Sequence, residues 1–141
     1  LVKYKPKKLK TLSGTKYLLK VKRPFIYKCY VKAYDASGKE LSRARTVYVT
    51  SKGYKYGNPK GVKVNKGSVE VKVGKKAKVK GEMVSDMAID EHQEIRYESS
   101  NPRIAKVNAK TGEITGVKKG DCYVYVYAQN GVYKRVTVNV R

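Results

Sequence analysis

Cys122-Tyr-Val-Tyr-Val-Tyr-Ala128, Gln129-Asn-Gly131 and Val132-Tyr-Lys-Arg-Val-Thr-Val-Asn-Val140 follow one another without a break. Two runs that alternate apolar side chains with others flank a short turn, and a period of two marks strands that bury one face. The loop decides which face. Asn-Gly is the usual two-residue hairpin signal. Here a two-residue loop at Asn130-Gly131 would pair Val126 with Arg135 and set the apolar face of one strand over the polar face of the other. A three-residue loop of Gln129, Asn130 and Gly131, with Gly131 left-handed as a bulge, pairs Val126 with Lys134, Val124 with Val136 and Cys122 with Val138. The three-residue loop is therefore expected. It leaves Lys134 on the inner face near the mouth, where its stem can snorkel outward. It also gathers Tyr123, Tyr125 and Tyr127 on the outer face, with Tyr127 opposite Tyr133 and Tyr125 opposite Arg135.

The same period recurs outward from this hairpin. In residues 26–34, Tyr27, Cys29, Val31 and Ala33 alternate with Lys28, Tyr30, Lys32 and Tyr34, which predicts one half-buried strand. Residues 15–22, 46–50, 69–73, 75–79 and 105–108 alternate in the same way and are rich in Val and Tyr, with Gly, Asn, Ser and Pro between them. The class is all-β and the architecture a sandwich. Residues 84–96, VSDMAIDEHQEIR, have dense polar and sparse apolar residues and read as an irregular connection.

Composition shifts once, at residues 51–62, where three Gly and one Pro interrupt the alternation. The expected division is a segment at 1–50, a linker at 51–61 and a domain at 62–141. The chain of 141 residues carries 33 Lys and Arg against 11 Asp and Glu, a net charge of +22. Up to Lys60 there are 17 basic and 2 acidic residues, a net +15, so most of the excess sits in the first part. That part is short for a sandwich and reads as a domain cut at its front. The chain begins at Leu, as expected of a mature piece or an excised fragment.

The residue inventory argues against an enzyme. His92 is the one histidine, and Cys29 and Cys122 stand far apart with no C-x-x-C partner, so no multi-histidine or thiolate metal site can be built. Both cysteines fall on inner faces and read as small buried apolar residues without a disulfide. Glu82, Asp86, Asp90, Glu91, Glu94 and Glu98 form an acidic cluster but lack the D-x-D-x-D-G order of a calcium loop, and they read as a solvated connection offsetting nearby lysines. Glu94 and Glu98 as a catalytic pair have no cleft or mechanism behind them. No cofactor, metal or catalytic residue is expected, and no apolar run reaches the ~18 to 20 residues needed to cross a bilayer.

The most specific spaced pattern is Tyr97-Glu-Ser-Ser-Asn-Pro102, then Ile104-Ala105-x-Val107, Thr111-Gly112-x-Ile114-x-Gly116-Val117 and Gly120. From about Val62 to Val140 it closely resembles the bacterial Ig-like domain, group 2, whose aromatic-x-S-S-N-P-x-x-A-x-V, G-x-I-x-G and late Gly stand in that order. Tyr97 occupies the place where the family usually has Trp. Each part also has a local reason. Asn101-Pro102 presets a turn, Ile104 and Val107 point to the core, and Gly112 closes a hairpin that sets Val107 opposite Ile114. Residues 15–50 resemble, more weakly, the C-terminal half of a fibronectin type III-like domain, through Val21-x-x-Pro24-x-x-Tyr27, Val31-x-Ala33-Tyr34-Asp35, Ser37-Gly38 and Thr46-Val47-Tyr48-Val49-Thr50. The resemblance implies that Tyr27 stands at the corner before the penultimate strand. Tandem modules of these kinds resemble repeat regions of Gram-positive surface proteins, which implies an extracellular or cell-surface address.

Two roles follow as expectations. The first is a non-catalytic spacer that holds a distal region away from the wall, with neighbouring domains of the same polypeptide as partners. The second is adhesion. The outer face of Tyr123, Tyr125, Tyr127, Tyr133 and Arg135 offers an aromatic and cationic platform to a sugar ring, a protein or, foremost, a neighbouring domain. The basic run of Lys3, Lys5, Lys7, Lys8, Lys10, Lys16, Lys20, Lys22 and Arg23 would meet an anionic cell-wall polymer or host glycan. Nucleic acid is disfavoured, because no nucleic-acid module is recognisable.

Overall fold

The computed structural model describes residues 6–21, 24–91 and 93–141. Among them run thirteen strands: β1 Ile26–Cys29, β2 Lys32–Tyr34, β3 Glu40–Arg43, β4 Val47–Thr50, β5 Gly61–Val64, β6 Ser68–Val71, β7 Lys76–Lys78, β8 Gly81–Val84, β9 Ile95–Ser99, β10 Ala105–Val107, β11 Glu113–Gly116, β12 Gly120–Ala128 and β13 Tyr133–Val140.

The hairpin β12–β13 has the register that parity demands: Cys122 pairs with Val138, Val124 with Val136 and Val126 with Lys134. Its loop is the three-residue one. Ala128 N–H donates to Val132 O at 2.9 Å, Gly131 N–H donates to Ala128 O at 2.9 Å, and Gly131 has φ +98°. Lys134 ends exposed, as a long stem at the rim permits. β9 flanks β12 antiparallel and β6 flanks β13 in parallel, which makes a four-stranded sheet in the order β6-β13-β12-β9. A three-stranded sheet, β10-β11-β7, and the ladder β5-β8 complete the sandwich.

Between these layers the inward positions are apolar. Val124, Val126, Val136, Val138, Val140, Val79 and Ile114 are wholly buried, with Val69, Val71, Ala105, Cys122 and Tyr97 around them. At about 25 cal/mol per Å² of apolar surface, each such side chain contributes roughly 1.5–3 kcal/mol relative to exposure. The hairpin β10–β11 sets Val107 opposite Ile114. It turns on Gly112 at φ +70°, where a side chain would meet the carbonyl oxygen of Val79 and the ring of Tyr97. Asn101 builds the preceding turn, its carbonyl accepting from Ile104 N–H at 3.0 Å and its Oδ1 from Arg103 N–H at 3.1 Å.

The connection between β8 and β9 is irregular, and strand resumes at Ile95, inside the stretch read as connection. Its acidic residues are less solvated than expected, because Asp90 is buried, and so is its neighbour Gln93. His92 lies outside the described residues.

The N-terminal part departs further from expectation. Residues 26–34 form two strands, β1 pairing with β4 and β2 with β3, so that Val31 at the break is 72% exposed rather than inward. Alternation announces a strand, but it does not say that a chain changes partners halfway. Residues 15–21 alternate without pairing at all, leaving Tyr17, Leu18 and Val21 exposed, since no neighbouring edge accepts them. Conversely β3, Glu-Leu-Ser-Arg, carries too little apolar contrast to announce itself. Tyr27 is the second residue of β1, opposite Val49.

Candidate functional site

The outer face of the four-stranded sheet is a lattice of polar aromatics and charges. Across β13, β12 and β9 run the rows Tyr133, Tyr127, Arg96 and Arg135, Tyr125, Glu98. The ring contacts are diagonal to these rows. Tyr125 meets Tyr133 edge to face, with centroids 5.6 Å apart and planes at 78°, and the Arg135 guanidinium sits 4.2 Å above the Tyr123 ring. Both contacts shift in the same sense, as the right-handed twist of paired strands brings one diagonal neighbour closer than the other. The five residues expected on this face are thus together on it, with Tyr133 61% and Tyr123 38% exposed.

Sequence reading did not anticipate what crosses the face. The segment from Arg43 to Val47 runs beside it, so that Arg43, Arg45, Glu98, Tyr125, Tyr127 and Tyr133 line a shallow open groove of about 800 Å³. Arg45 Nε donates to Glu98 Oε2 at 3.0 Å across this groove. Beneath it the Tyr127 hydroxyl is shut off from solvent and makes no hydrogen bond. Burial, the largest influence, pushes the Tyr127 phenol above its ordinary pKa, and the Arg45 charge draws it part of the way back. Glu98 was legible in principle, since inward Tyr97 puts its neighbour outward. Arg43 and Arg45 had no local signal, because their positions depend on non-local packing of the N-terminal strands.

The hairpin loop holds the two parts of the chain together. Tyr48 N–H donates to Gln129 O at 2.8 Å, Asn130 Nδ2 donates to Pro59 O at 2.8 Å, and Gln129 Oε1 accepts Glu94 N–H at 2.8 Å. Within the expected linker, Asn58 ties itself to Thr50 by two side-chain hydrogen bonds of 2.7 Å, mimicking a strand partner, and Pro59 is buried. Residues 58–60 are therefore anchored, not a free tether.

The other candidates are scattered. Lys7, Lys8, Lys10, Lys16 and Lys20 are exposed along a run without strands; Lys3, Lys5, Lys22 and Arg23 lie outside the described residues. The acidic residues separate into individual pairs, Asp86 with Lys60, Glu94 with Arg96 and Glu98 with Arg45. Among the described residues no group of three His, Cys, Asp or Glu side chains could hold a metal ion. Cys29 and Cys122 are both free thiols, Cys29 half-buried and Cys122 buried, and burial chiefly raises the Cys122 pKa. No helix is long and apolar enough to cross a membrane among the described residues.

Comparison with known proteins finds a family model at residues 58–140, described as bacterial Ig-like domain (group 2). Among solved structures the chain is similar to the crystal structure of the S-layer protein SbsC domains 4 and 5, at 22% identity and a TM-score of 0.49. That match covers 68% of this chain and 58% of the other, so the chain spans a little over half of that structure's length. No curated protein matches.

Proposed function

The chain belongs to the bacterial Ig-like domain (group 2) family, and from that premise we propose that it is a non-catalytic structural module of a larger bacterial surface protein, a spacer placed outside the cell. The observation that carries this reading is the hairpin loop at Gln129-Asn130-Gly131, which anchors β4, residue 59 and the β8–β9 connection at once. A spacer needs its successive β units fixed against one another, and backbone groups joined across a junction supply that. The apolar cluster packed between the sheets supports the same reading, because the inward side chains of β12 and β13 serve packing. The test is replacement. In the polypeptide that contains it, a length-matched and unrelated β-sandwich pair should preserve the activity of the regions on either side; a loss that length matching fails to restore overturns the spacer role.

A second reading is adhesion, favoured by the exposure of Tyr123, Tyr133 and Arg135 on an otherwise ordered sheet face. The partner would be an anionic cell-wall polymer or host glycan, drawn by the net charge of +22. Binding to purified wall or acidic glycan at low ionic strength no stronger than that of a neutral Ig-like control would end this reading and leave the spacer untouched.

A further inference from the structure

Two guanidiniums beside the tyrosine groove share an unusual arrangement. Arg43 lies 3.9 Å above the Tyr30 ring and Arg135 lies 4.2 Å above the Tyr123 ring. Stacking fixes a guanidinium through its face and leaves the N–H donors in its plane free. Among the described residues neither arginine has a carboxylate within ion-pair distance. Arg43 lines the groove, and Arg135 lines a separate, adjoining hollow that has Tyr133 in common with it. Between them stand the exposed Tyr133, its partner Tyr125 and the Arg45–Glu98 pair.

We infer that this groove binds an acidic polysaccharide, a chain of pyranose rings bearing carboxylates or sulfates. Arg43 and Arg135 take acidic groups in the forked geometry that guanidinium offers an oxyanion. The Tyr125–Tyr133 pair takes the apolar face of a ring, and the Glu98 carboxylate accepts from sugar hydroxyls. The last two points separate this ligand from single-stranded nucleic acid. Single-stranded nucleic acid stacks successive bases on successive open rings, whereas the Tyr123 and Tyr30 faces are occupied by arginine and the exposed Tyr133 offers a place for one ring. The ring hydroxyls of a sugar donate to Glu98, a donor that the phosphodiester backbone of DNA lacks. The inference rests on the adhesion reading and is independent of the spacer role.

The test is calorimetric titration of the full chain with hyaluronan octasaccharide, which carries carboxylates, and heparin octasaccharide, which carries sulfates. Maltooctaose and an eight-nucleotide oligo(dT) serve as comparisons. Saturable binding of at least one acidic sugar, with maltooctaose and oligo(dT) weaker, is expected; hyaluronan binding shows that carboxylates suffice, and binding of heparin alone, which carries both groups, shows that sulfates are needed. Arg43→Gln, Arg135→Gln and Tyr133→Ala should each weaken binding about tenfold, the equivalent of ~1.4 kcal/mol and of one charge-assisted contact. Lys63→Gln with Lys106→Gln, exposed lysines on other strands, should change it less than about twofold. If the acidic sugars bind and the three groove variants bind them equally well, the groove is wrong while adhesion stands; a Lys7→Gln, Lys8→Gln, Lys10→Gln variant that loses binding would then locate it. If neither acidic sugar binds, the groove proposal fails, while the adhesion reading is decided separately by binding to purified cell wall. Tighter binding of oligo(dT) at the same residues overturns the choice of polysaccharide.

Discussion

The Tyr97 hydroxyl accepts the backbone N–H of Gly81 at 2.9 Å, which joins β9 to the start of β8 through the interior of the sandwich. Gly81 sits against β12 with no room for a side chain, since a Cβ there would run into Val126 Cγ1. A buried N–H without an acceptor costs about 1–3 kcal/mol. Tyr97→Phe should therefore lower stability by about 1–2 kcal/mol with the fold retained, and Gly81→Ala should lower it further, both read from urea unfolding midpoints.

Gly112 carries a double constraint, a φ of +70° and no room for a side chain beside Val79 O and Tyr97. Left-handed backbone alone costs a non-glycine residue about 1 kcal/mol or more, and the steric conflict adds to it. Gly112→Ala is expected to destabilise by more than about 2 kcal/mol. Gly38 also has positive φ, at +83°, but nothing stands within 4 Å of where a Cβ would lie, so Gly38→Ala should be milder.

Tyr127→Phe should leave the protein as stable as before or up to ~1 kcal/mol more stable, because it removes a hydroxyl that is shielded from water and unpartnered. The same phenol sets a pH dependence. Its folded pKa is raised above the ordinary value near 10, so its protonated form favours the native state. That contribution is fully present below pH about 10 and is lost as pH rises through the folded value. The stability gap between Tyr127→Phe and the parent should widen in favour of the variant above pH about 10, measured by urea titration at successive pH values.

Asn130→Ala removes the donor to Pro59 O. The junction should open while the sandwich, whose buried cluster does not include Asn130, keeps its melting temperature. Limited trypsin digestion should then cut faster at Lys52, Lys55 and Lys60 than in the parent. Unchanged cleavage would mean that the Asn130–Pro59 bond does not hold residues 58–60 in place.

Thiol labelling should be sequential. Half-buried Cys29 should react with iodoacetamide under native conditions, and buried Cys122, its thiol pushed upward by desolvation, only on unfolding. Mass spectrometry of peptides from folded and denatured protein reads both sites.

How much of this was legible in sequence depended on how local the determining interactions are. The β12–β13 register was, because Gln129-Asn130-Gly131 joins neighbours in the chain and parity admits one loop length. The same parity turned Tyr125, Tyr133 and Arg135 outward together. Val31 and Ala33 are exposed against the alternation because β1 and β2 take different partners, β4 and β3, and a period of two is blind to partner choice. The groove was invisible for the same reason: Arg45 reaches Glu98 across 53 positions, and neither side chain's neighbourhood in the chain announces the other.

β6 and β13 lie side by side in parallel, from Ser68 beside Thr137 to Val71 beside Val140. Tension that reaches Ser68 once β5 has parted from β8, and leaves at Val140, pulls these two strands in opposite senses along their length. The rungs between them then bear the load simultaneously, in shear, instead of being unzipped one after another. A tethered molecule drawn by flow or by a moving cell would yield first at weaker ladders such as β2–β3, and this domain would be among the last parts of the chain to extend.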